Sequence, residues 1–158
     1  MAAAARCAPA VLLERWLLAG PPDRASSWRL GGEGVGRIGE ELAARWLRAR
    51  GLRILGRNVA APEGELDLLA TEGDDLVVVE VKTGWRPAWA PEDSRWRPAL
   101  RLHDVSIARR SRAAARLGRR MGRRARVDLV EVHALDAERR VRVTRWTDVG
   151  RPSGGRPS

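Results

Sequence analysis

Apolar and charged residues alternate along residues 64–82, and the alternation predicts two strands joined by a turn at Glu72-Gly73-Asp74-Asp75. In the first strand, Leu66, Leu68 and Ala70 share one face, with Glu65, Asp67 and Leu69 on the other. In the second, Val77, Val79 and Val81 lie together, opposite Val78, Glu80 and Lys82. Charge on an otherwise apolar strand is costly to bury unless it pairs or binds an ion. With the two charged faces aligned, Asp67, Glu80 and Lys82 converge on one patch. Upstream, Arg53–Val59 predicts a further strand, and Ala61-Pro62-Glu63-Gly64 the turn that follows it.

Two stretches follow a helical period instead. From Gly36 to Arg50, Ile38, Leu42, Trp46 and Ala49 form one side, widened by Ala43 and Leu47, and Gly51 is placed to end the helix. Arg37, Glu41, Arg45 and Arg48 fall outside that arc, while Glu40 sits at its margin, about 20° around from Leu47. On these residues alone Glu40 is read equally well as a helix-start acid favoured by the dipole or as a functional group. From Val105 to Arg123, Ile107, Ala114, Ala115, Leu117, Gly118 and Met121 share one arc. Val127–Ala134 and Arg140–Trp146 then predict a closing hairpin around Asp136-Ala137-Glu138. The expected order is αβββαββ, an α/β fold.

Residues 1–33 read as an extension, with a short helix near Val11–Leu18, a break at Gly20-Pro21-Pro22 and a flexible joint at Gly31-Gly32-Glu33-Gly34. The domain proper is expected over 34–149, and residues 150–158 as a disordered tail. Gly84 to Leu102 departs from regular structure. It carries Pro87, Pro91 and Pro98 together with Trp85, Trp89 and Trp96, and is read as an excursion docked on the core or as a loop laid against unstacked bases. His103 and His133 are read as cap or surface residues rather than metal ligands.

Charge changes the picture most in one segment. The chain has a net charge of +10, and between Arg95 and Arg126 stand twelve arginines against a single acid, Asp104. All of the excess is there, as expected for a polyanion partner. Within the second helix, Arg109, Arg112, Arg116, Arg119, Arg120 and Arg123 form a stripe opposite the apolar arc, with no acid among them. A solvated face is the ordinary reading of such a stripe. A phosphate backbone would offset its self-repulsion, and Arg109, Arg112, Arg116 and Arg120 are spaced to track one. The mostly Ala and Gly opposing face has little area to insert into a membrane. No apolar run approaches the ~20 residues of a membrane span. The one cysteine, Cys7, excludes an internal disulfide framework, and Glu14 and Arg15 interrupt the N-terminal apolar patch, so the cytoplasm is the expected location. An organellar transit sequence stays open.

Lys82 is the only lysine among 30 basic side chains. Lysine and arginine are not interchangeable where an ammonium must orient a water. Two carboxylates, Asp67 and Glu80, beside an ammonium are what a Mg²⁺-dependent phosphodiesterase needs, since hard divalent ions take oxygen ligands and lower the pKa of bound water. The plainer alternative is a salt-bridged hairpin, because cross-strand charge pairs stabilise a sheet by themselves.

Four ordered motifs carry a resemblance that spans about residues 34–134. They are Gly36-x-x-Gly39-Glu40-x-x-Ala43-x-x-Trp46-Leu47-x-x-x-Gly51, then Arg57-Asn58, Gly64-Glu65-x-Asp67 and Val79-Glu80-Val81-Lys82-Thr83, with Arg126-x-Asp128 fitting a later segment. The chain resembles the YraN-like family of bacterial endonuclease-like proteins, which look like distant relatives of archaeal Holliday-junction resolvases in the PD-(D/E)xK superfamily. The resemblance implies a restriction-endonuclease-like fold, a mixed central β-sheet flanked by helices, and cleavage of DNA phosphodiesters with Mg²⁺ or Mn²⁺. By position it implies Glu40 as the helix-borne acid, Asp67 and Glu80 holding the metal with the Val81 carbonyl as a further ligand, Lys82 positioning the attacking water, and Glu65 in support. Gly84 stands where the family usually has a basic residue, and Arg109 or Arg110 falls near where a lysine is common. A nucleic-acid-binding or partner protein that keeps the fold without turnover is the alternative. Cutting a symmetric junction would call for a homodimer.

Overall fold

A computed structural model describes residues 12–15, 24–86, 104–135 and 140–150. The elements are β1 (Leu12–Arg15), α1 (Arg24–Arg48), β2 (Arg53–Val59), β3 (Leu66–Glu72), β4 (Asp75–Arg86), α2 (Asp104–Met121), β5 (Ala125–Leu135) and β6 (Arg140–Trp146). They build one six-stranded sheet in the order β1-β6-β5-β4-β3-β2. Only β4 and β5 run parallel; the other neighbours are antiparallel. A parallel pair needs a long crossover connection, and the chain segment carrying α2 supplies it.

The central pair explains its own sequence. Val77, Val79 and Val81 of β4 and Val130 and Val132 of β5 pack under Ala43, Ala44, Trp46 and Leu47 of α1. On the opposite face, Val78 and Val127 pack under Ala113 and Ala114 of α2. Strands covered on both faces read as nearly continuous apolar runs, which residues 77–81 show with Glu80 as the one charge, while residues 127–132 interrupt the run with the buried acids Asp128 and Glu131. From α1 onward the order is αβββαββ, the restriction-endonuclease-like arrangement of a mixed sheet flanked by helices.

Several details differ from expectation. Leu12–Arg15 is a strand, paired antiparallel with β6 from Leu12↔Val143 to Arg15↔Arg140, where a short helix was expected. That pairing reaches across more than a hundred residues, so local periodicity carries no sign of it. α1 begins at Arg24 and runs through Gly31-Gly32-Glu33-Gly34, the expected joint. Glycine inside a helix costs about 1 kcal/mol relative to alanine and does not by itself end one. Gly84, Trp85 and Arg86 extend β4 rather than starting an irregular loop. The buried arcs are also rotated from those expected: Ala49 and Ala115 are exposed, as is Met121, while Gly39, Ala44 and Ala113 are buried. The rest of the Gly84–Leu102 stretch, His103, the turn at 136–139 and the tail after Gly150 lie outside the described residues. Among the described residues, no helix is long and apolar enough to cross a membrane.

Candidate metal centre

The site starts from a break in the sheet. The β3–β4 ladder runs from Glu72↔Asp75 to Leu68↔Val79 and ends there. At the next position the Val81 N–H donates to Oδ2 of Asp67 at 2.7 Å, so a side chain replaces the backbone acceptor. Across β3, Asn58 of β2 takes a left-handed φ of 48° between the pairs Arg57↔Leu68 and Val59↔Leu66. The alternation slips at this point. Leu66 joins the cluster under α2 while Leu68 and Ala70 stay under α1, although simple period-two reading puts all three on one face. Asp67 lies at that switch.

Burial pushes the Asp67 carboxyl up to about 6, helped by the neighbouring charges of Glu80 and, less, Glu40; the Val81 N–H and Lys82 pull the other way. Its Oδ1 has no protein partner among the described residues. Glu80 is only 3% exposed. Its Oε1 accepts from Lys82 Nζ at 2.7 Å and its Oε2 from Arg110 Nε at 2.6 Å. The first contact follows from the i, i+2 spacing along one face of β4. The second comes from α2.

Glu40 reaches the site because α1 lies unusually close to β4. A Cβ placed on Gly39 would lie 1.7 Å from Oγ1 of Thr83, so only glycine permits this approach. With Ala44 buried, Glu40 falls between Leu47 and Ala44 on the helical wheel and is itself half-buried, at the edge of the packed face. Asn58 Nδ2 donates to its Oε2 at 3.0 Å. Glu41 points away, paired with Arg45 at 2.6 Å and with Arg57. The structure thus groups Glu40, Asp67, Glu80 and Lys82. Glu65 is exposed, and no hydrogen bond or ion pair links it to the four.

Two members were missed in sequence. Arg110 falls on the wheel about 40° from Ala114, inside the buried arc of α2, and an arginine there signals a buried partner. Asn58 lies inside a quoted motif, but its link to Glu40 appears only once α1 and β2 are placed. Among the described residues, no group of three or more His, Cys, Asp or Glu side chains is set to hold a metal ion. The oxygen donors nearest one another in sequence and space are the carboxylate of Asp67, that of Glu80, whose two oxygens are held by Lys82 and Arg110, and the Val81 carbonyl. That oxygen set fits a hard divalent ion completed by water. The negative charge crowded around Asp67 is what such an ion would relieve.

The arginine stripe is only partly free. Arg109, Arg112 and Arg120 are exposed, but Arg116 donates twice to Glu63, at 3.0 Å each, and holds that carboxyl below its usual range. An acid from the turn before Asp67 therefore neutralises one arginine that seemed to lack a partner. His133 is buried rather than on the surface, with Nε2 3.7 Å from Glu131 Oε1.

A second charged cluster joins β3, β4, β5 and β6. Asp128, fully buried, accepts from Arg126 Nε at 3.0 Å, Arg145 Nη2 at 2.6 Å and the Asp148 N–H at 3.0 Å. Arg145 also donates to Glu72 at 3.0 and 2.8 Å, and Arg126 to Asp75 at 2.8 Å and to Glu72. The Arg126-x-Asp128 motif is thus part of a tie across the sheet.

Comparison with known proteins agrees with the motifs. A UPF0102 protein of Beutenbergia cavernae is 42% identical over 84 residues, 53% of this chain and 66% of that protein. One of Pelotomaculum thermopropionicum is 49% identical over 70 residues, 43% of this chain and 58% of its own. One of Caulobacter vibrioides is 60% identical over 48, covering 30% and 38%. The matched part is therefore under two thirds of the length of these relatives. A solved structure of Pyrococcus furiosus SfsA in complex with Ca²⁺ aligns over 87% of this chain and 74% of its own at 16% identity, with a TM-score of 0.33, too slight a likeness to bear on function. The model of the family described as "Uncharacterised protein family UPF0102" matches residues 39–132, which take in Glu40, Asp67, Glu80 and Lys82, and the chain belongs to that family.

Proposed function

We propose that this protein is a metal-dependent nuclease that hydrolyses DNA phosphodiester bonds, branched or single-stranded DNA foremost. The observation that carries the reading is Asp67: a half-buried carboxyl raised to about 6, with one uncommitted oxygen, beside Glu80 and Lys82. A fold gains nothing from leaving a carboxylate in that state, whereas sites that handle charge are where such perturbation collects. Asp67, Glu80 and the Val81 carbonyl would hold Mg²⁺ or Mn²⁺. Bound there, the ion would polarise the phosphate and acidify a water.

The chain's own groups supply the rest. Lys82, 27% exposed at its side chain, is close enough to solvent to orient an attacking water, and its ammonium offsets negative charge on the phosphate. Glu40, held by Asn58, faces the same group of charges from α1. Glu65, exposed two residues before Asp67, is left a supporting part. Arg109, Arg112 and Arg120, with Arg116 once released by Glu63, would track the phosphate backbone. A symmetric branched substrate would require two copies of the chain.

Purified protein offered duplex, flap, junction and single-stranded DNA, with and without Mg²⁺ or Mn²⁺, should cut at least one form only when metal is present. Cutting of none with either metal removes the reading. The contrary reading, a nucleic-acid-binding protein without turnover, draws on Glu80, whose two oxygens are already held by Lys82 and Arg110. Calorimetric titration with Mn²⁺ separates the two: a binder without turnover needs no metal, whereas a nuclease should take up Mn²⁺ and lose it in Glu80→Gln.

A further inference from the structure

Glu80 is the most committed acid of the site. At 3% exposure it is flanked by two cations, each on a different oxygen. Lys82 comes from the same strand, and its place follows from the spacing. Arg110 does not. It belongs to α2, lies 30 residues along the chain, and is turned from the exposed arginine stripe into the buried arc of its helix. Its neighbours Arg109 and Arg112 point outward and are exposed.

We infer that Arg110 is a built-in counter-cation that occupies Glu80 Oε2 and must be displaced before a divalent ion can use that oxygen. The inference rests on the nuclease reading and deepens it. A carboxylate buried between strands cannot stand alone, because an uncompensated buried charge is strongly destabilising. Lys82 neutralises one oxygen; Arg110 neutralises the other through a short charge-assisted hydrogen bond. A divalent ion and a guanidinium would compete for the same lone pairs. Arg110 therefore keeps Glu80 folded into the site when no ion is bound, and it sets how tightly an ion binds. A positioning arginine that merely braced Glu80 would aid metal binding, so removing it would weaken the site. A competing arginine has the opposite sign.

Mn²⁺ alone, titrated calorimetrically into the full-length chain, reads that sign. Arg110→Gln should bind Mn²⁺ tighter than wild type by about tenfold or more, the worth of one hydrogen bond to a charged group. Arg110→Lys, which restores a cation, should return towards the wild-type affinity. Equal or weaker binding by Arg110→Gln overturns the inference while wild-type binding leaves the nuclease reading standing. Absence of Mn²⁺ binding in both chains overturns both. Should Arg110→Gln fail to fold, the wild-type protein still answers. The Nε–H of Arg110 should give a protected nitrogen–proton NMR signal that exchanges faster with water at saturating Mg²⁺. A signal unmoved by Mg²⁺ in a protein that binds it shows that no displacement occurs.

Discussion

The two charged clusters use the same chemistry for opposite ends. In the cross-sheet tie, each acid has arginines at bonding distance: Asp128 has Arg126 and Arg145, Asp75 has Arg124 and Arg126, and Glu72 has Arg145 and Arg126. Hydrogen bonds from arginine, led by Arg145 for Glu72 and by Arg124 for Asp75, hold both carboxyls below their usual range. Around Asp67 the balance is reversed. Burial and two neighbouring acids outweigh one backbone N–H and one lysine, and the carboxyl is raised. Saturated pairs fasten the sheet; the unsaturated one is where an ion or substrate would act. Perturbation in itself does not mark function. In the proposed reading, its direction and the oxygen left over at Asp67 set the two clusters apart.

The largest effect should come from the tie. Asp128→Ala leaves the Asp148 N–H and the Nε–H groups of Arg126 and Arg145 without their acceptor in a buried place, although both arginines keep Glu72 and Arg126 keeps Asp75, and should cost about 3–5 kcal/mol in urea unfolding. A loss under about 1 kcal/mol would mean that the tie does not fasten the sheet.

Asp67→Asn should act with the opposite sign. Asp67 has its folded value near 6 against 3.8 for the free group, so it is protonated in both states below about pH 4 and costs nothing there. As pH rises from about 4 to about 6 the unfolded chain ionises first, and stability is lost over that window. Above pH 6 the full penalty holds, about 2–3 kcal/mol. Asn keeps an acceptor for the Val81 N–H and carries no charge. The variant should therefore be more stable than wild type by up to that amount above pH 6 and equal to it near pH 4, as read by melts across the range. A uniform difference at all pH values would point to packing instead.

Gly39→Ala tests how α1 delivers Glu40. A methyl 1.7 Å from Thr83 Oγ1 must push the helix off β4, at a cost of about 1–3 kcal/mol. Thermal melts would show it, and a variant as stable as wild type would show that the helix had room. The smallest change in stability belongs to the surface. Changing Arg109, Arg112 and Arg120 together to Gln should move unfolding by no more than about 0.5 kcal/mol per site. The same variant should flatten the slope of log DNA affinity against log salt by about 2–3. A wild-type slope would make the stripe a solvated face only.

Much of this arrangement was legible in sequence because strand periodicity is local. The 77–81 valines, Glu80 and Lys82 fall where alternation puts them, and the turn at 72–75 closes as its residues suggest. What was hidden depends on partners far along the chain. Arg110 stood out only as one of two arginines near a common lysine position, its bond to Glu80 showing once α2 crossed β4, and Arg116 lacked a visible acid until Glu63 arrived from a turn 53 residues away. β1 needed β6 to exist before it could be a strand. The slip at Asp67, which separates Leu66 from Leu68, lies opposite a left-handed Asn58 in the neighbouring strand, and no pattern within β3 announces it.

The central claim is that Asp67 is kept charged and crowded for chemistry at the fold's expense. Cleavage by Asp67→Asn, measured with Mg²⁺ or Mn²⁺ above pH 6 on whichever DNA form the wild type cuts, tests it most directly. The account predicts a variant that is more stable, still binds DNA through its arginines, and does not cut. A variant that cuts as fast as wild type would contradict it.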